Sequence, residues 1–186
     1  MNDPGPSRID LAVEIAVESP LWETFDTASA LAETAIAAAL QRADADLDSV
    51  EVSLLFCDDA FIQTLNQRWR GQDKPTNVLS FPAASGPGDA VVLGDIAIAF
   101  ETMAREAAAE DKGLPAHFSH LIVHGLLHLL GYDHETDAEA EEMEALEREV
   151  LAGLGIADPY QIALFGMSER DARAIPLASG VTGAHE

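Results

Sequence analysis

Residues 124 to 134 read HGLLHLLGYDH and place three imidazoles, His124, His128 and His134, in an otherwise apolar stretch. On a helix, positions i and i+4 project from one face a single turn apart, so His124 and His128 can present two ring nitrogens to one ion. Gly131 follows where the helix has to stop, and a glycine there takes the left-handed backbone of a turn that brings His134 back toward the first two. Three imidazoles leave a fourth position for water, the composition of a catalytic zinc site and not of a closed structural one. Imidazole also accepts nickel, copper or iron, but the offsets suit zinc. His117, His120 and His185 stand outside this set and are read as hydrogen-bonded core or boundary residues.

The offsets zero, four and ten for histidine, with glycine at seven, are those of the metzincin signature H-E-x-x-H-x-x-G-x-x-H. One position differs. Where the peptidase carries the glutamate that acts as general base, this chain has Gly125. The ligand scaffold is therefore present without the peptidase's base, which demotes a metallopeptidase.

These residues need elements to hold them. Ile9 to Val17 alternates in the period of a half-buried strand, and Val50 to Cys57, Asn77 to Phe81 and Val91 to Ala99 read as three more. Gly94-Asp95 interrupts the last and suggests a bulge or a close backbone approach. Helices are expected over Ala28 to Ala43, from Asp58 or Asp59 through Trp69, over Phe100 to Asp111, over His117 to Leu130 and, acidic and amphipathic, over Ala138 to Leu154. The inner side of the last is assigned to Met143, Leu146, Val150, Leu151 and Leu154. AASGPGDA, before Val91, reads as a flexible connector. The fold expected is α/β (α+β), a small mixed four-stranded sheet packed with helices, with the metal site on a helix and its following turn. Residues 1–160 are expected to form a single domain and 161–186 a flexible C-terminal tail.

Charge narrows the partners. The net charge of −23 speaks against general affinity for phosphate backbones. The ten Lys and Arg residues are unevenly placed, however, and Arg68, Arg70 and Lys74 fall close together, so a cationic site on an anionic body is open to this chain. The single Cys57 cannot form an internal disulfide, which suits a reducing compartment. MNDPGPSRID has no basic region followed by an apolar core, and Leu121 to Leu130 is too short to span a bilayer, so a cytoplasmic protein without a membrane partner is expected.

Two long stretches carry a family resemblance. His124 to His134 matches H-G-x-L-H-L-x-G-Y-D-H, and LNQRWRGQDKPTNVLSFP, Leu65 to Pro82, is similar to L-N-x-x-[YW]-R-x-x-D-x-P-T-N-V-L-S-F-P; both resemble the YbeY family of bacterial endoribonucleases. LGDIAI (Leu93 to Ile98) and the acidic segment from Glu139 to Glu147 agree as well. Trp69 takes a position often held by tyrosine, and neither the first ten residues nor those beyond Tyr160 carry a match to the family. The resemblance implies Zn2+ on His124, His128 and His134 and cleavage of single-stranded RNA at ribosomal RNA 3′ ends, with a part in ribosome quality control. It also implies a functional role for Arg70, and a guanidinium there can bind phosphate oxygens in bidentate fashion. With so few cations, free RNA would bind weakly, so the ribosome or ribosomal proteins are expected to deliver the substrate. Asp133 and Asp95 are candidates for the base, Asp133 equally for orienting an imidazole. The competing readings are a non-catalytic ribosome-assembly factor with a structural metal, and a zinc hydrolase or metallopeptidase lacking the usual glutamate.

Overall fold

A computed structural model of the chain describes residues 9–43, 45, 47–84 and 91–161. Most of the connector and all but the first residue of the expected tail, with His185, lie outside the described residues.

Four strands form one mixed sheet in the order β1-β2-β4-β3. Strand β1 (Asp10–Val17) runs parallel to β2 (Ser49–Cys57), and β2 runs parallel to β4 (Val91–Ala99). Strand β3 (Val78–Pro82) lies antiparallel at the edge beside β4. The β2–β4 register shifts between Glu51 and Val52, opposite Gly94, which is the irregularity expected there. The crossover between the parallel strands β1 and β2 is helix α1 (Ala28–Arg42).

Alternation along the strands divides the helices between the two faces. On one face Val50, Val52, Leu54 and Phe56 of β2 and Ile96 and Ile98 of β4 meet α1 and α4 (Leu114–Leu129), with α5 (Asp137–Gly153) packed against both helices. On the other, Cys57, Ala97, Ala99 and Leu79 meet Ile62 of α2 (Asp59–Arg70). Helix α3 (Phe100–Ala109) follows β4 directly and buries Met103.

Two features seat the helix that carries the histidines. Phe118 packs edge-on against Trp22, Phe25 and Phe56, in an aromatic cluster that anchors the first half of α4. Further along, Gly125 meets the sheet so closely that a Cβ there would lie 3.0 Å from Ile96 and 3.1 Å from the Ser80 hydroxyl. The expected helix from His117 in fact starts at Leu114, with Pro115 in its first turn. Proline is tolerated there because the amide it lacks has no intrahelical acceptor. Ahead of it, α3 stops at Ala109, and Asp111 takes a positive φ of 52° in the turn between the two helices.

Candidate metal centre

The end of α4 is built to return the chain. Gly131 adopts φ 96°; its amide donates to the His128 carbonyl at 3.0 Å, and the Tyr132 amide donates to that of Leu127 at 3.0 Å. This pair of bonds is a Schellman closure, and it requires a left-handed residue at the glycine position. It also turns the Tyr132 carbonyl inward, where it accepts the Nδ1 proton of His128 at 3.0 Å. Two residues on, His134 arrives with its ring centroid 5.0 Å from His128 and 5.8 Å from His124. The three expected ligands thus come together, each offering a nitrogen within 4.8 Å of the others.

Their chemistry fits a cation. The Nδ1 of His124 donates to Oε1 of Glu147 at 2.6 Å, and that of His128 is used by Tyr132, so both neutral rings carry their proton on Nδ1. Their Nε2 atoms then face each other at 3.1 Å with lone pairs only. Such an arrangement is repulsive unless a positive charge lies between the two atoms. Burial, and then the neighbouring His124 and His134, hold His128 below the ordinary imidazole value, so it does not readily supply that charge as a proton. Two imidazole nitrogens on a tetrahedral zinc ion stand about 3.3 Å apart, close to the separation here.

Glu147 is the residue that the sequence reading missed. It lies in the acidic run on α5 yet is fully buried. Besides His124, its carboxylate accepts from Nε2 of His120 at 3.0 Å and from the Tyr160 hydroxyl. Burial by itself raises its pKa, but the hydrogen bonds donated by His120, His124 and Tyr160 outweigh it and hold the group at about 2. The Tyr160 hydroxyl, partly buried and facing that charge, is pushed well above its ordinary range. A signal was available: Met143, Glu147, Val150, Leu151 and Leu154 form one stripe at helical spacing, and His120 stands one turn before His124. His117 is buried with Nε2 2.9 Å from Glu106, as a core histidine, and Glu106 also accepts from Asn77. A cavity of about 330 Å³ beside His124 is lined by these groups, His120, Lys112 and Tyr160.

The other candidates fall elsewhere. Asp133 bonds no imidazole among the described residues; its carboxylate accepts the amide of His134 at 2.8 Å. Asp95 shares a strand face with Ala97 and Ala99, which pack under α2, whereas α4 sits on the opposite face against Ile96. Ser80 donates to the Gly125 carbonyl at 3.0 Å. Arg70 is the exposed last residue of α2, across the sheet from α4, and no contact joins it to the imidazoles among the described residues. Gly125 now has a physical reason: that position points into the sheet, so a glutamate there would meet Ile96 and Ser80 and not the ion.

An α/β sheet that seats a three-imidazole cluster on one helix and its turn defines a candidate metalloenzyme. The family model for endoribonuclease YbeY matches residues 18–155. The endoribonuclease YbeY of Methylocella silvestris is 53% identical over 158 residues, 84% of this chain and 90% of that protein. That of Beijerinckia indica is 62% identical over 156 residues, 80% of this chain and 76% of that protein. The chain belongs to the endoribonuclease YbeY family.

Proposed function

We propose that this protein is a zinc-dependent endoribonuclease that cuts single-stranded RNA, acting in ribosomal RNA 3′-end maturation and ribosome quality control in the cytoplasm. Membership of an endoribonuclease family makes it a hydrolase acting on RNA. The metal reading rests on one observation, the Nε2 atoms of His124 and His128 facing each other at 3.1 Å while both Nδ1 atoms are bonded elsewhere. Residues 1–160 are taken as the catalytic domain.

His124, His128 and His134 would hold the ion, which when bound supplies Lewis acidity toward a phosphodiester. Glu147 keeps the His124 proton on Nδ1, and the Tyr132 carbonyl does the same for His128, so both rings keep an Nε2 lone pair directed at the site. Gly125 offers no base, which weighs against peptide hydrolysis. Arg70 is assigned to the RNA phosphates: its guanidinium is exposed and has no carboxylate partner among the described residues. Because α2 and α4 lie on opposite sheet faces, an RNA strand reaching both would pass the edge strand β3. The ribosome or a ribosomal protein would present the substrate, because the chain's net charge of −23 opposes capture of free RNA.

The test is cleavage of a single-stranded ribosomal RNA 3′ segment by zinc-loaded protein beside identically purified Arg70→Ala and His128→Ala variants. Cleavage by the wild type that both variants lose is the expected result. Equal cleavage by all three would expose a contaminating nuclease and remove the support for this reading.

A further inference from the structure

The described cations divide cleanly. Arg42, Arg105, Lys112 and Arg148 each pair with a carboxylate, as expected in a chain with 33 acidic residues. Arg68, Arg70 and Lys74 have no carboxylate partner among the described residues, although acids outnumber them throughout. The acid beside them in sequence, Asp73, is held instead by the side-chain amide of Gln63 at 2.8 Å. Within the same stretch stands Trp69, which at 62% exposure is the most exposed large apolar side chain among the described residues. A lone exposed apolar residue needs no explanation, but one set among the three unpaired cations does.

The patch is also held rigid. Gly71 ends α2 with a left-handed φ of 69°. The side chain of Asn66, buried at 1% exposure, donates to the Lys74 carbonyl at 2.8 Å and fixes the loop that follows. The Arg68 guanidinium lies 5.3 Å from the Trp69 ring centroid, and the Phe81 ring supports the indole at 6.0 Å. An open indole held in place and flanked by free guanidinium and ammonium groups matches the two demands of a single-stranded nucleic acid, a stacking surface for a base and cations for its phosphates.

We propose that Trp69 is a stacking platform for one base of the RNA strand, with Arg68, Arg70 and Lys74 on the adjoining phosphates. The proposal rests on RNA being the substrate and deepens that reading. Phe81, which supports Trp69, and Ser80, which bonds the Gly125 carbonyl beside His124, are consecutive residues of the edge strand β3. The platform and the imidazoles therefore lie on the two sides of one sheet edge. A single strand bends around such an edge; a duplex, stiff over many base pairs, does not. The geometry thus ties preference for single strands to the fold.

The chain's own fluorescence tests this. Trp22 is buried at 4% exposure, and Trp69 is the other tryptophan, so emission quenched by a bound strand reports on Trp69. The probe is a 2′-O-methyl oligoribonucleotide of about ten nucleotides added to the full chain, with binding also followed by anisotropy of a label on the oligonucleotide. The expected result is quenching in the wild type, binding weakened about 5- to 150-fold in Trp69→Leu, and recovery in Trp69→Tyr. Equal affinity of Trp69→Leu and wild type, or binding without quenching, would overturn the platform; RNA cleavage by the same preparations would then show that the endoribonuclease reading survives without it. Quenching by poly-glutamate but not by the oligonucleotide would assign the patch to an acidic protein and also overturn the proposal.

Discussion

Replacing Glu147 with glutamine tests the support of the metal centre most directly. The side chain is fully buried and accepts from His120, His124 and Tyr160, so a truncation would orphan three donors and threaten the fold. Glutamine keeps the volume and one acceptor oxygen while removing the charge. Two quantities should change. A buried carboxylate that orients a ligating imidazole is worth about 10- to 100-fold in metal affinity, so zinc binding to Glu147→Gln is expected to weaken by that factor in chelator competition. Fold stability should fall too: a carboxyl held at about 2 against an ordinary 4.5 favours the charged form by about 3 kcal/mol. The sign follows from proton counting. Because the folded pKa is depressed, the unfolded state binds more protons between pH 4.5 and 2; the contribution is complete above 4.5 and is lost as pH falls toward 2. Urea unfolding of metal-free wild type and variant should therefore show a gap of up to about 3 kcal/mol at neutral pH that closes through that window. Unchanged zinc affinity together with a gap independent of pH would refute the reasoning.

Three further outcomes are expected. Gly131→Ala should cost about 1–2 kcal/mol in urea unfolding, because φ 96° penalises a Cβ even though nothing lies within 4 Å of it, and zinc affinity should fall as the turn shifts; stability equal to wild type would contradict the turn's role. Tyr160→Phe, which removes one donor to Glu147, should weaken zinc binding less than Glu147→Gln does, and a larger loss would mean that the hydroxyl acts directly at the site. Burial, and then the carboxylates of Asp58 and Glu101, push the Cys57 thiol up to about 12 from 9.0, so the fold retains a proton that the unfolded chain releases and loses stability as pH rises from 9 to 12. The native thiol should accordingly resist alkylation at about pH 8.5 until the protein unfolds, and prompt stoichiometric labelling would contradict that burial.

Much of the molecule was legible in the chain because local physics dictated it. The i, i+4 histidines, the glycine that ends their helix and the returning His134 depend on contacts within eleven residues, and the strands announced themselves by alternation. The helix start at Leu114 was misplaced because Pro115 reads as a stop unless its first-turn tolerance is weighed. Glu147 was hidden for another reason: surrounded by Glu142, Glu144 and Glu149, it looks like one more solvated acid.

By itself, then, the sequence determined which residues can ligate an ion and which segments are helix or strand, since both follow from spacing along the chain. Tertiary structure alone decided that Glu147, 23 residues from His124, would turn inward and orient that imidazole, and that Tyr160 and His120 would hold Glu147 in turn. It also decided that Gly125 is pressed against Ile96 and Ser80, and that Arg70 and Trp69 stand across the sheet from the histidines. These outcomes depend on which faces pack together, and burial gives a carboxylate or an exposed indole its meaning only after that packing exists.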